Sequence, residues 1–373
     1  MTLHPTFDTD AKIRGIEAAF PAAEFAERQA RARAAITASG HEALIVTGPE
    51  TIYWLTGRQT AGYFAFQALV LPADGEPVLL VRQLELFGTL ANTYLPDIVA
   101  YQDADNPAEA LVDLLRQRGI ANPAIELAGW FLSPKLAAEI SERLGVASLI
   151  DGSQILPSLR MIKSAAELEA IRHAARYAEA GMIAGIEACV IGADENAVAA
   201  DMLHAATRAG SEVMAMEPLV SSGPRSGLPH MTWRRRVLEA GDPLFLELAG
   251  SHARYHAALM RTVWMGVPPD EAQRMMDCAL RALDAALAEI RPGVLVPMCM
   301  IRRRQSSMAP AIRPPSASAS AIPWALPSRR TGARGQSSAS SPMSPASSSR
   351  AWSSICLQHC AAMANGPSAL RKR

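Results

Sequence analysis

The feature that most constrains this chain is a break in its character at Val294. From there to Arg373 there is no Asp or Glu, although the chain holds 36 of them. The same stretch carries 11 of the 36 Lys and Arg residues, so residues 1–293 hold 25 basic against 36 acidic residues, a net charge of −11, and the remainder carries +11. Beyond 294 the text is dense in Ser, Pro and Ala, as in SASASAIP and SSASSPMSPASSS, and shows neither helical nor strand periodicity. Such a segment lacks the apolar surface to offset its ordering entropy, so a basic, disordered tail is expected over 294–373. A packed fold has to come from the first 293 residues.

That length suffices for two domains with separate cores. A formal net charge of zero argues against nucleic acid as the main partner. No apolar run is long enough to span a bilayer, so no membrane is expected. Asp8, Asp10 and Glu17 stand where a secretory signal would be apolar, and the 5 cysteines have no regular spacing. Both observations predict a reducing, cytoplasmic location.

Residues 22–39 read as an amphipathic helix stopped by Gly40, and 43–48 (ALIVTG) as a buried strand. ALVLPADGEPVLLV (68–81) is two apolar runs around a turn, a hairpin signal. Helices are predicted over 107–119 and 133–145, with a strand at 124–129 between them. This alternation predicts an α/β domain over residues 1–159. A second domain, 160–293, opens at RMIKSAAE, where Ser164 and Glu167 have capping-box spacing. Helices over 193–210 and 269–290 and strands within 217–231 and 242–266 predict an antiparallel sheet covered by helices, an α+β arrangement.

Chemistry-bearing residues gather in three places. His230 follows a glycine-containing loop, SGPRSGLPH, and histidine serves acid–base work near neutral pH. FLELAGSHARYHAALMRT (245–262) sets Glu247, Tyr255, His256 and Arg261 on two apolar strands, where polar groups need partners, solvent or a ligand. YWLTGRQTAGYFAFQ (53–67) clusters aromatic residues in a chain with only 5% of them. Trp54 reads as core, whereas a glycine-rich loop followed by Tyr63, Phe64, Phe66 and Gln67 suits the wall of a small-ligand site. Cys189 and Cys278 fall in helical patterns and read as core thiols. No phosphate loop, nucleophile elbow or zinc-spaced cysteine pair is present.

These segments resemble the creatinase/aminopeptidase P family. The resemblance runs from about Phe20 to Gly293 and rests on TIYWLTG (51–57), RMIKSAAE (160–167), the SG…PH segment ending at His230, and the GD…Y…RT stretch (241–262). It implies a creatinase-type N-terminal domain followed by a pita-bread catalytic domain, here incomplete. Metalloenzymes of the family hold two divalent ions, and their first two ligands are Asp residues on adjacent strands. Those positions match Glu247 and Ala258, and an alanine methyl offers no oxygen to bridge ions about 3.5–4 Å apart. The resemblance therefore implies the metal-free, cofactor-free branch of the ectoine hydrolase type. Such enzymes cleave a C–N bond of a small zwitterion with a histidine, here His230, as proton-transfer residue. Tyr63, Phe64, Phe66, Gln67, Glu247, Tyr255, His256 and Arg261 would then contact the small-molecule substrate, and a homodimer is implied. A metal-dependent Xaa-Pro aminopeptidase and a non-catalytic product with a basic tail are the alternatives.

The tail has a second reading. Pairing each codon's third base with the next codon's first two lets residues 310–335 encode GYPAAFRKRVGYSMGVAFPPDWGEG. The same shift lets residues 346–358 encode ELQPGMVFHLPP. Both resemble pita-bread segments that should follow residue 293, and Trp324 before Ala325 leaves no choice but glycine at its place. A frameshift near Val294 is the expectation, with activity impaired in this polypeptide.

Overall fold

In a computed structural model, residues 13–214 and 217–294 are described, and internal contacts divide the chain into two units, Met1–Ala166 and Glu167–Arg373. The tail and its expected disorder lie, Val294 apart, outside the described residues.

The first unit runs α1 (Ala22–Ala38), β1 (Ala43–Val46), α2 (Pro49–Thr56), β2 (Ala68–Pro72), β3 (Val78–Arg82), α3 (Leu86–Asn92), β4 (Asp97–Tyr101), α4 (Pro107–Gln117), β5 (Ala124–Ile125), α5 (Pro134–Leu144), β6 (Ile150–Asp151) and α6 (Pro157–Met161). Its sheet has the order β4-β3-β2-β1-β5-β6. The central β1, β2 and β3 are antiparallel neighbours, and β4, β5 and β6 join in parallel. β1 is buried along its whole length, as a strand covered on both faces should be. Ile45, Val70 and Leu80 pack with Leu111, Leu115 and Ile140 of α4 and α5. Leu44, Leu69 and Leu79 turn the other way, toward Ile36 of α1 and Ile52 and Leu55 of α2.

The segment opening YWLTG is helical at its start: Pro49 begins a helix, and Gly57, at φ 81°, ends it in the left-handed conformation. A side chain at Gly57 would meet the Asn92 carbonyl at 2.7 Å, so glycine is required twice over. Trp54 is core, as expected.

The second unit contains α7 (Ala165–Ala188), α8 (Glu195–Ala209), β7 (Leu219–Ser222), β8 (Pro243–His252), β9 (Tyr255–Trp264) and α9 (Asp270–Glu289). β7-β8-β9 form an antiparallel sheet, the α+β layout expected. Val220, Leu244, Leu246 and Leu248 face Met182 of α7 and Val198, Met202 and Ala206 of α8. β8 crosses α7 so closely that a Cβ on Gly250 would lie 2.1 Å from the Ala174 carbonyl oxygen. Ala253 and Arg254 close the β8–β9 hairpin, both at positive φ, 47° and 60°. Pro269 stands at the N-cap of α9, whose first turn carries Asp270 and Glu271, where they complement the helix dipole. Its Met275, Leu280 and Leu283 are exposed.

Candidate functional site

Strand alternation fixes one face of the small sheet. β8 sends Leu244, Leu246 and Leu248 toward the helices, so Phe245, Glu247, Ala249 and Ser251 point the other way. Glu247 stands opposite Leu219 on β7 and Met260 on β9, and Ala249 stands opposite Ala258. His256, paired with Ser251, shares this face. The face therefore carries a carboxyl, an imidazole and, where a second carboxylate would stand, a methyl group. The hydroxyls of Ser221 and Ser251 are also buried on it, without a hydrogen-bond partner among the described residues.

Both titratable groups are driven toward their neutral forms. Burial pushes the Glu247 carboxyl up, and nearby His230 opposes part of that rise. Burial pulls the His256 imidazole down; the Arg254 backbone and charge and the Glu212 charge act as smaller influences. His230 is itself exposed and takes a left-handed backbone conformation, φ 59°, unusual for a residue with a side chain. The structure thus brings His230 within electrostatic reach of Glu247, with His256 on the same sheet face.

Tyr255 and Arg261 are not brought there, which corrects the expectation that both face the same ligand. They alternate onto the opposite side of β9. The Tyr255 hydroxyl donates to Glu167 on α7 at 2.6 Å, and the exposed Arg261 guanidinium donates to the Met260 carbonyl at 2.8 Å.

In the first unit, Tyr63, Phe64, Phe66 and Gln67 line one cavity of about 470 Å³. Arg58 and Thr60 brace this loop by donating to the Glu85 carboxylate at 2.7 and 2.6 Å, and the Tyr101 hydroxyl donates to the Phe66 carbonyl at 2.7 Å. Gln67 is buried, whereas the Phe64 ring is 80% exposed. Trp130 and Phe131, unnoticed in the sequence, supply the opposite wall, and Phe131 meets Tyr63 edge to face with centroids 6.0 Å apart. The dipeptide lies in an irregular stretch after β5, where periodicity gives no cue. Glu126, equally silent in sequence, braces the entry to α2 by accepting from the backbone N–H of Gly48 at 2.8 Å.

Among the described residues, no group of three or more His, Cys, Asp or Glu side chains could hold a metal ion, and no helix is long and apolar enough to cross a membrane.

Comparison with known proteins matches residues 28–162 to the creatinase/prolidase N-terminal domain and residues 169–299 to metallopeptidase family M24. An uncharacterized hydrolase/peptidase of Sinorhizobium fredii is 32% identical over 289 residues, covering 74% of each chain. The ectoine hydrolase of Halomonas elongata is 27% identical over 295 residues, again covering 74% of each. Among solved structures, the dipeptidase PepE of Mycobacterium ulcerans superposes with a TM-score of 0.66 at 28% identity, covering 77% of each chain.

Proposed function

Since the chain belongs to the pita-bread hydrolases, with a creatinase-type domain followed by an M24 domain, we propose that its active site is of the metal-free kind and cleaves a C–N bond of a small zwitterion. The observation that carries this reading is the register of β8 and β9, which sets Glu247 among Met260, Ala249 and Ala258. A dinuclear centre needs carboxylates from both strands, and this pair of strands offers one. The donor set does not fit two bridged ions. Similarity to ectoine hydrolase favours a cyclic zwitterion of the ectoine type as substrate.

In this reading His230 accepts a proton from the water that attacks the electrophilic carbon. It then returns that proton to the departing nitrogen as the C–N bond breaks. Glu247, whose carboxyl burial pushes up, orients the imidazole or the substrate cation. His256, kept uncharged, offers a nitrogen lone pair on the same face. Tyr63, Phe64, Phe66 and Gln67 act as the substrate wall, and the enzyme works as a cytoplasmic homodimer, which sedimentation of the intact protein tests.

The residues after 294 belong, in our reading, to a shifted frame, so activity is tested on protein expressed with the frame restored. Incubation with ectoine should release the ring-opened product with or without chelator, and His230→Asn should abolish release. Loss of activity on chelation, regained with manganese or zinc, would instead identify a metal-dependent aminopeptidase.

A further inference from the structure

The segment that carries His230 is tied at both ends to one side chain outside the proposed site. Glu195, the first residue of α8, is wholly buried. One of its carboxylate oxygens accepts from the Ser222 backbone N–H at 2.9 Å and from the Ser222 hydroxyl at 2.7 Å. The other accepts from the Arg225 guanidinium at 2.6 Å and from the Arg234 backbone N–H at 2.7 Å. Four donors thus occupy the roughly four acceptor positions of a carboxylate. Ser222 precedes residues 223–233 and Arg234 follows them, so a single group draws the two ends of this loop together. Arg225 doubles the tie by donating its second nitrogen to the Thr232 carbonyl at 2.5 Å. Outside the clamp, Arg236 binds Asp242 in bidentate fashion and donates to the Ser222 hydroxyl at 3.0 Å.

We infer that Glu195 is a positioning residue: its carboxylate closes the 223–233 loop and thereby holds His230 in its left-handed conformation beside Glu247. The role assigned to His230 rests on the proposed function, but the clamp is testable without turnover. A merely structural Glu195 would act on the stability of the whole unit. A clamp acts first on the loop and on the His230 imidazole.

The test uses the full chain. Trypsin has sites in this segment after Arg225, Arg234, Arg235 and Arg236, and the His230 imidazole nitrogens are identified by NMR through their loss in His230→Asn. Glu195→Gln sets an amide donor against groups that are themselves donors. Cleavage within 225–236 should accelerate by about tenfold or more, as expected for losing buried charge-assisted hydrogen bonds. The His230 resonances should move toward those of an unstructured histidine while far-UV circular dichroism stays unchanged. Glu195→Asp, which keeps four acceptor positions, should restore part of both signals. Unchanged loop cleavage and an unmoved His230 signal in folded Glu195→Gln protein would overturn the assignment. Where Glu195→Gln does not fold, Arg225→Gln decides: it loosens the loop and shifts the imidazole, or the clamp is not what holds His230. Activity surviving in frame-restored His230→Asn would sink the proposed chemistry and leave the clamp standing.

Discussion

A carboxyl raised by burial is a cost to the native state whenever it is ionised. For Glu247 the folded value lies above the unfolded one. The native state therefore keeps its full advantage below the ordinary glutamate range and loses part of it as pH rises through the raised value. Glu247→Gln should then unfold at a higher temperature than wild type at pH 7. The difference should vanish in acid, where the wild-type group is protonated in both states. Thermal melts across pH check this, and a gain of about 0.5–2 kcal/mol is the scale on which functional residues trade stability for activity. His256 works with the opposite slope, its contribution present at neutral pH and lost on acidification through its lowered value. Cys189 offers an independent check. Burial pushes its thiol up to about 11, and the thiol donates to the Gly185 carbonyl at 3.0 Å. Iodoacetamide at pH 8 should spare it in the native protein and label it after unfolding, read by peptide mass.

At the scale of elements, the tightest constraint is the crossing of β8 over α7. Gly250→Ala would force a methyl into the Ala174 carbonyl. Overpacking of this kind costs about 1–3 kcal/mol, so a clear drop in the denaturation midpoint is expected. That crossing was not legible in the sequence, because a glycine inside a strand pattern does not reveal what approaches it. The elements with strong periodicity were legible. α4 and α5 emerge where apolar spacing and caps coincide, with Asn106 and Ser133 accepting from the backbone N–H groups they precede. The β2–β3 hairpin emerges from two apolar runs flanking a turn, its Val70 opposite Val78. α2 was missed because six of its eight residues, Thr51 to Thr56, are buried in an unbroken run, leaving no amphipathic stripe to read. At the site, His230 and Glu247 stood out by residue type. The parting of Tyr255 and Arg261 from Glu247 needed the register, since strand parity decides it and sequence alone does not fix which parity faces the ligand. Glu195 was invisible because its partners lie 27 to 39 residues away along the chain.

For the whole molecule, the charge break at Val294 and the exposed apolar side chains of α9 point the same way. An amphipathic helix with Met275, Leu280 and Leu283 open to solvent presents an apolar row of the kind that a further packed segment covers. Sequencing the gene across codon 294 should reveal a one- or two-base change against its relatives; an uninterrupted frame would remove this explanation. The restored protein should withstand mild proteolysis better than the present chain and bind less of a hydrophobic dye.

Among the described residues β9 is an edge strand, its outer row of backbone donors and acceptors unmatched by any other strand. Should the sequencing reveal a shifted frame, the enzyme need not be lost. Supplied as a separate polypeptide, the correctly read second half has a template to zip onto, and two inert fragments mixed in a tube could reconstitute one catalyst.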